Sequence, residues 1–148
     1  MKNNNIITID GPSASGKGSL AKALAKELNF ILLDSGLLYR AYSYCFDQGQ
    51  NHSSAKNLFS NLKIDSIDHE MHVFEDNTDI TSTLRHEKIA KSASQLSSLK
   101  ETRDNLISFQ RDLAIENGLV ADGRDMGTVV FPDAGTKIFL VADAEVRA

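Results

Sequence analysis

Lys17 closes a run of small and turn-forming residues, Gly11-Pro12-Ser13-Ala14-Ser15-Gly16-Lys17-Gly18-Ser19, and that combination suits the holding of a polyphosphate. Gly11 and Gly16 have no Cβ, so the backbone can turn tightly and bring its N–H groups up to phosphate oxygens. The lysine adds a point charge; the usual pattern has a Ser or Thr hydroxyl directly after it to reach Mg²⁺, whereas here Gly18 intervenes and the candidate Mg²⁺ hydroxyl is on Ser19. The bland alternative is a Gly-rich turn that only joins a strand to a helix. A second polar cluster is Asp122-Gly123-Arg124-Asp125-Met126-Gly127, a poor core and a good site. Asp122 could hold Mg²⁺ directly or through water, with Arg124 and Asp125 available to a substrate. The alternative there is an Asp–Arg surface pair worth under about 1 kcal/mol.

These groups must be positioned by elements that the hydrophobic pattern supplies. Ile6 to Ile9 is a continuous apolar run that reads as a buried strand ending at the loop. Beyond the loop, Leu20, Leu24 and Leu28 recur every four residues with Ala21 and Ala25 beside them, which predicts one face of a helix. Asn29 is a suitable C-cap, and Phe30-Ile31-Leu32-Leu33 follows as a second buried strand ending at Asp34. Two buried strands joined by a helix form a βαβ unit, hence a parallel sheet. Ser35 can cap a helix from about Leu37 to Gln48, closed by Gly49. Tyr39 and Arg40 then lie just past the carboxyl end of a strand, the edge at which open α/β sheets bind ligands. Core packing for Tyr39 and a solvated charge for Arg40 are the alternatives, and spacing alone does not separate them.

Residues 62–80 change character. Leu62 to Ile67 and Met71 to Glu75 alternate in part, and Asp76-Asn77 is a turn signal leading into Thr78 to Thr81. A small antiparallel meander is expected there, followed by helices from about Glu87 to Ser97, with Ile89, Ala93 and Leu96 inward, and from about Glu101 to Asn117, with Leu106, Phe109 and Leu113 inward. Leu119-Val120-Ala121 is a third buried strand running straight into Asp122. A fourth, Lys137 to Val141, leads to Asp143, a possible cap for a further helix.

With 148 residues, 41% hydrophobic and 24% charged, the chain suits one ordinary globular domain. A net charge of −4 gives no sequence-wide basic field, so neither a nucleic acid nor an anionic membrane is expected as a partner. The single Cys45 and the Met-Lys-Asn-Asn-Asn start fit a reducing cytoplasm, and no apolar run reaches the roughly 18 residues needed to span a bilayer. His69-Glu70-Met71-His72 falls one residue short of the zinc-protease pattern, so histidine metal ligation is not expected.

The Gly-Lys-Gly-Ser form of the loop, with Gly18 between lysine and hydroxyl, resembles nucleoside monophosphate kinases more than GTPase switches. No Asn-Lys-x-Asp segment is present for reading a guanine base. Together Ile9 to Ser19, Leu33-Asp34-Ser35-Gly36 with Tyr39-Arg40, and the long Asp122 to Asp133 run resemble bacterial cytidylate kinases. Shikimate and gluconate kinases share the loop but not the Asp122 to Asp133 run. The resemblance extends from Ile6 to the last residue, including Ala93-Ser94-Gln95 and Arg103. It implies a P-loop α/β fold, a parallel sheet with helices on both faces, carrying at about 62–98 an inserted, mostly antiparallel monophosphate-binding subdomain. The activity it implies is transfer of the ATP γ-phosphoryl group to CMP or dCMP with Mg²⁺, in a cytoplasmic protein that is monomeric in complete form.

By the same resemblance, Lys17 and the loop hold ATP phosphates, Arg40 and Arg124 grip the CMP phosphate, and Ser35, Ser94, Arg103 and Asp125 read the nucleoside, with Tyr39 nearby. The chemistry is coherent. Cytosine offers an amino donor at N4 where uracil offers an acceptor, so a carboxylate such as Asp125 favours cytosine, and Arg103 can donate to ring acceptors. Members of that family continue into an arginine-rich lid and closing elements, whereas the chain stops at Arg147-Ala148. The expectation is therefore a kinase domain, residues 1–148, incomplete at its C-terminus, with a nucleotide-binding module that does not turn over as the alternative.

Overall fold

The computed structural model describes residues 3–12, 15–49, 62–113 and 118–141. In chain order the elements are β1 (Asn3–Asp10), α1 (Lys17–Leu28), β2 (Ile31–Asp34), α2 (Ser35–Asp47), β3 (Leu62–Ile67), β4 (Glu70–Glu75), β5 (Thr78–Asp79), α3 (Thr81–Leu84), α4 (Glu87–Leu96), α5 (Lys100–Leu113), β6 (Leu119–Gly123), a π-helical segment (Met126–Val130) and β7 (Ala134–Phe139). They fall into two compact units. Met1–Ser35, Asp68–Glu70 and Gln110–Ala148 form the first; Gly36–Ile67 and Met71–Phe109 form the second.

The first unit is built on a parallel sheet of order β2-β6-β1-β7. The inner strand β6 is buried throughout and reads as an apolar run up to Asp122, whereas the edge strand β7, with Thr136, Lys137 and Phe139 exposed, does not. The register sets Asp34 beside Asp122 and Asp10 beside Gly123, so the carboxyl ends of β2, β6 and β1 form one polar edge. Helix α1 covers one face. Ala21 and Ala25, not the leucines, are its fully buried residues, packed with Ile9, Leu32 and Val120. Small side chains let the helix backbone approach the sheet, Leu20 and Leu24 wedge in beside them, and Leu28 is exposed. Asn29 ends the helix in the left-handed conformation, its N–H reaching the carbonyls of Ala25 and Lys26, as the C-cap reading requires. On the opposite face the π-helical segment lies against β1, where a Cβ on Gly127 would meet Thr8 Oγ1 at 2.7 Å. The parallel sheet therefore has helical cover on both sides, as expected.

Several boundaries differ from expectation. Helix α2 begins at Ser35 itself, directly after β2, so Ser35 is the first helical residue rather than a cap. Strand β6 runs on through Asp122 to Gly123, and β7 starts at Ala134 rather than Lys137. On α5, Leu106 is buried but Leu113 is exposed; Thr102 and Gln110, four residues either side of Leu106, are the residues buried with it. The expected stretch 114–117 of that helix and the helix after Asp143 lie outside the described residues.

The second unit contains the expected meander, a sheet of order β3-β4-β5 with β4 and β5 antiparallel. Asp76 and Asn77 turn between them at φ of 49° and 67°, a left-handed geometry that short polar side chains tolerate. The short α3 after β5 was not expected. Asp79 anchors it by accepting the Thr81 N–H at 2.9 Å, and Thr81 Oγ1 accepts the Val73 N–H at 2.9 Å. Tyr42 is fully buried in this unit, stacked on Phe46 at 5.3 Å and accepting a hydrogen bond from Asn105 Nδ2 at 3.0 Å. No helix among the described residues is long and apolar enough to cross a membrane.

Candidate functional site

The loop between β1 and α1 is shaped by close backbone approach. At Gly11, φ is +157°, and an added Cβ would lie 2.9 Å from the Leu140 carbonyl oxygen at the end of β7. Ser15 Oγ donates to the Pro12 carbonyl at 2.7 Å, drawing the turn together. Gly16 adopts the left-handed conformation and is the N-cap of α1 with no side-chain cap hydrogen bond, at the end of the helix where the dipole is positive and the first N–H groups have no intrahelical partner. Ser13 and Ala14 lie outside the described residues. Ser19 is exposed in the first turn of α1.

Lys17 Nζ donates to Asp122 Oδ1 at 3.0 Å. Burial pushes the Asp122 carboxyl above its ordinary range; the Lys17 ammonium pulls the other way, while the neighbouring Asp34 and Asp10 carboxylates add to the upward push. This strand edge thus carries more negative charge than one lysine neutralises. The other Asp122 oxygen faces the loop, 3.8 Å from where a Gly18 Cβ would stand. Among the described residues no three His, Cys, Asp or Glu side chains converge as a self-contained metal site.

The segment after Asp122 is held from below. Asp10, buried at the end of β1, accepts the Met126 N–H at 2.7 Å and the Gly127 N–H at 2.9 Å. Asp125 precedes them at φ 56°, and its carbonyl accepts the Val129 and Val130 N–H groups at 2.9 and 3.1 Å. Gly123 is packed so closely that a Cβ would lie 2.7 Å from Ser35 Cβ and 2.8 Å from Met126 Sδ. Ser35, Asp122, Arg124, Asp125 and the loop are thereby gathered on one edge of the first unit, with Arg124 and Asp125 exposed.

The family model for cytidylate kinase matches residues 7–148. The chain belongs to the cytidylate kinase family. It is 47% identical over 151 residues to a cytidylate kinase of Pseudomonas fluorescens, covering 97% of this chain and 66% of that protein. A cytidylate kinase of Mannheimia succiniciproducens is 42% identical, over 100% of this chain and 68% of its own length. A bifunctional pantoate ligase/cytidylate kinase of Prochlorococcus marinus is 42% identical, over 100% of this chain and 30% of its own length. The chain thus spans 66% of the length of the Pseudomonas relative.

The remaining residues that the cytidylate kinase resemblance singled out lie in the second unit. Tyr39 and Arg40 are half-buried on α2, and Arg40 Nη1 reaches the Leu84 carbonyl at 3.4 Å, so Arg40 is neither core nor freely solvated. Ser94 is exposed on α4 and Arg103 is exposed on α5. Sequence reasoning assigned no role to Asp10 or to Arg111. A carboxylate closing an apolar strand should have raised the question of its donors, but those donors are backbone groups 116 and 117 residues away.

Proposed function

We propose that the protein transfers the γ-phosphoryl group of ATP to CMP or dCMP. The observation that carries this reading is the placement of Lys17 and its phosphate loop beside the Asp122 to Asp125 strand end, in a chain of the cytidylate kinase family. In this reading the loop from Gly11 to Ser19 takes the ATP phosphates through backbone N–H groups, and Lys17 exchanges Asp122 for phosphate oxygens. Ser19 and Asp122 would hold Mg²⁺, which when bound neutralises charge on the β- and γ-phosphates. Arg40 and Arg124 take the CMP phosphate; Ser35, Tyr39, Ser94, Arg103 and Asp125 take the nucleoside. A CMP phosphate oxygen forms the new bond to the γ-phosphorus as the bond to the bridging oxygen breaks and ADP leaves. Such transfer asks the protein for in-line positioning and positive charge rather than a general base.

The names of the matched relatives favour turnover over binding alone. The cytoplasmic location and monomeric state expected from the sequence belong to the same proposal. Cys45 is buried and its thiol is pushed up to about 11, by burial first and Glu75 second, which keeps it out of thiolate chemistry. The test is a coupled kinase assay on the complete reading frame with CMP, dCMP, UMP and AMP. CMP and dCMP should be preferred; equal rates with all acceptors, or none above background, would sink the reading.

A further inference from the structure

Arg111, on the last described turn of α5, donates from Nε to the Val130 carbonyl and from Nη2 to the Val129 carbonyl, both at 2.8 Å. These are the final carbonyls of the π-helical segment, while Asp10 takes the first two N–H groups at the other end. A five-residue segment with so few internal bonds has little intrinsic stability. One carboxylate and one guanidinium supply side-chain hydrogen bonds at its two ends. Each is of the sign that the local backbone dipoles favour, anion at the N–H end and cation at the carbonyl end. Asp125 is the residue from which this segment springs, at a left-handed φ of 56°, and its carbonyl is tied to the clamped end through the Val129 and Val130 N–H groups.

We infer that Arg111 is a positioning residue for substrate selection: by clamping the carbonyl end of the Met126–Val130 segment it fixes the direction in which Asp125, and Arg124 beside it, present their side chains. The inference rests on the kinase reading for what Asp125 selects, but not for the clamp itself. Arg111 contributes through two backbone bonds and touches none of the loop residues in the bonds described. Asp10 is a less clean probe because its carboxylate also acts on Asp122.

The experiment compares wild type, Arg111→Ala and Arg111→Lys in the complete reading frame. Each is assayed for kcat and KM with CMP and UMP at saturating ATP, with the ATP KM and the thermal midpoint measured alongside. In Arg111→Ala the ratio of kcat/KM for CMP over UMP should fall at least about fivefold, the scale of one base-edge hydrogen bond, while the ATP KM stays within about twofold. Arg111→Lys keeps the charge but loses the two-pronged fork, so it should lie between. A variant that is merely less stable lowers both substrates together and leaves the ratio unchanged; that result in a folded Arg111→Ala overturns the inference. If Arg111→Ala does not fold, an unchanged ratio in Arg111→Lys overturns it. If wild type shows no CMP turnover, the kinase reading fails by itself, and the clamp is read from amide exchange at Val129, Val130 and Phe131. Faster exchange there in the variants supports the clamp, and unaltered exchange overturns it.

Discussion

Lys17 Nζ and Asp122 Oδ1 stand 3.0 Å apart although 105 positions separate them in the chain. Parallel pairing of β1 with β6 creates this neighbourhood, because it brings the residues that leave two strands to the same sheet edge. The pair holds the lysine over its own loop while leaving the carboxylate short of positive charge, a balance that a phosphate with its metal ion can resettle without rearranging the sheet.

Removing the lysine also strips the buried Asp122 of its cation, so turnover is read on protein that is checked to be folded. Lys17→Ala is expected to lower CMP turnover by at least about a hundredfold, the scale seen on removal of a charge-stabilising donor, with a lowered thermal midpoint but a folded protein at the assay temperature. Turnover within a few-fold of wild type in a coupled assay would remove the phosphate-loop assignment.

Asp122 offers a pH test. Its carboxyl is raised in the folded state, chiefly by burial, so the folded chain retains a proton that the unfolded chain has already released. Between about pH 4 and the folded titration the native state binds more protons, and stability falls as pH rises. Asp122→Asn abolishes that titration. In nucleotide-free urea melts, the stability of the variant relative to wild type should rise from about pH 4 upward and then level off. A difference that does not vary with pH would mean the carboxyl titrates normally.

Asp79 titrates in the opposite sense. The Thr81 hydroxyl, the Thr81 N–H and then His72 hold its carboxyl down to about 2. Its contribution is in full force above the unfolded value near 3.8 and is lost as pH falls through about 2. Asp79→Ala should thus be less stable than wild type at neutral pH, and the gap in melting midpoint should close on acidification. A gap that persists at pH 2 would point to packing rather than charge.

Base selection is the test of Asp125. Because the residue sits at φ 56°, Asn is the substitution that keeps its backbone at ease, whereas Ala would add strain. Asp125→Asn should cut the preference for CMP over UMP by about 1 to 3 kcal/mol in the ratio of kcat/KM. An equal loss on both substrates would place Asp125 on the sugar or in the turn instead.

What the sequence determined by itself is everything encoded by short-range pattern. Unbroken apolar runs located β1, β2 and β6 of the parallel sheet, while β7, with Gly135, Thr136 and Lys137 inside it, was placed three residues late; Asn29 and Asp76-Asn77 marked a helix end and a turn through local backbone preference. The loop from Gly11 to Ser19 and the run from Asp122 to Asp133 named the family, because each is a contiguous stretch whose residue types are dictated by local chemistry. Tertiary structure decided which face of α1 is core, where the sheet rather than helical periodicity chose Ala21 and Ala25 over Leu28. It also decided the roles of Asp10 and Arg111. Their partners are backbone N–H and carbonyl groups, which every residue possesses, so no residue type at 126, 127, 129 or 130 could announce the contact. The π-helical segment was illegible for the same reason: it is too short to have a period, and the side chains that bond its two ends are distant in the chain.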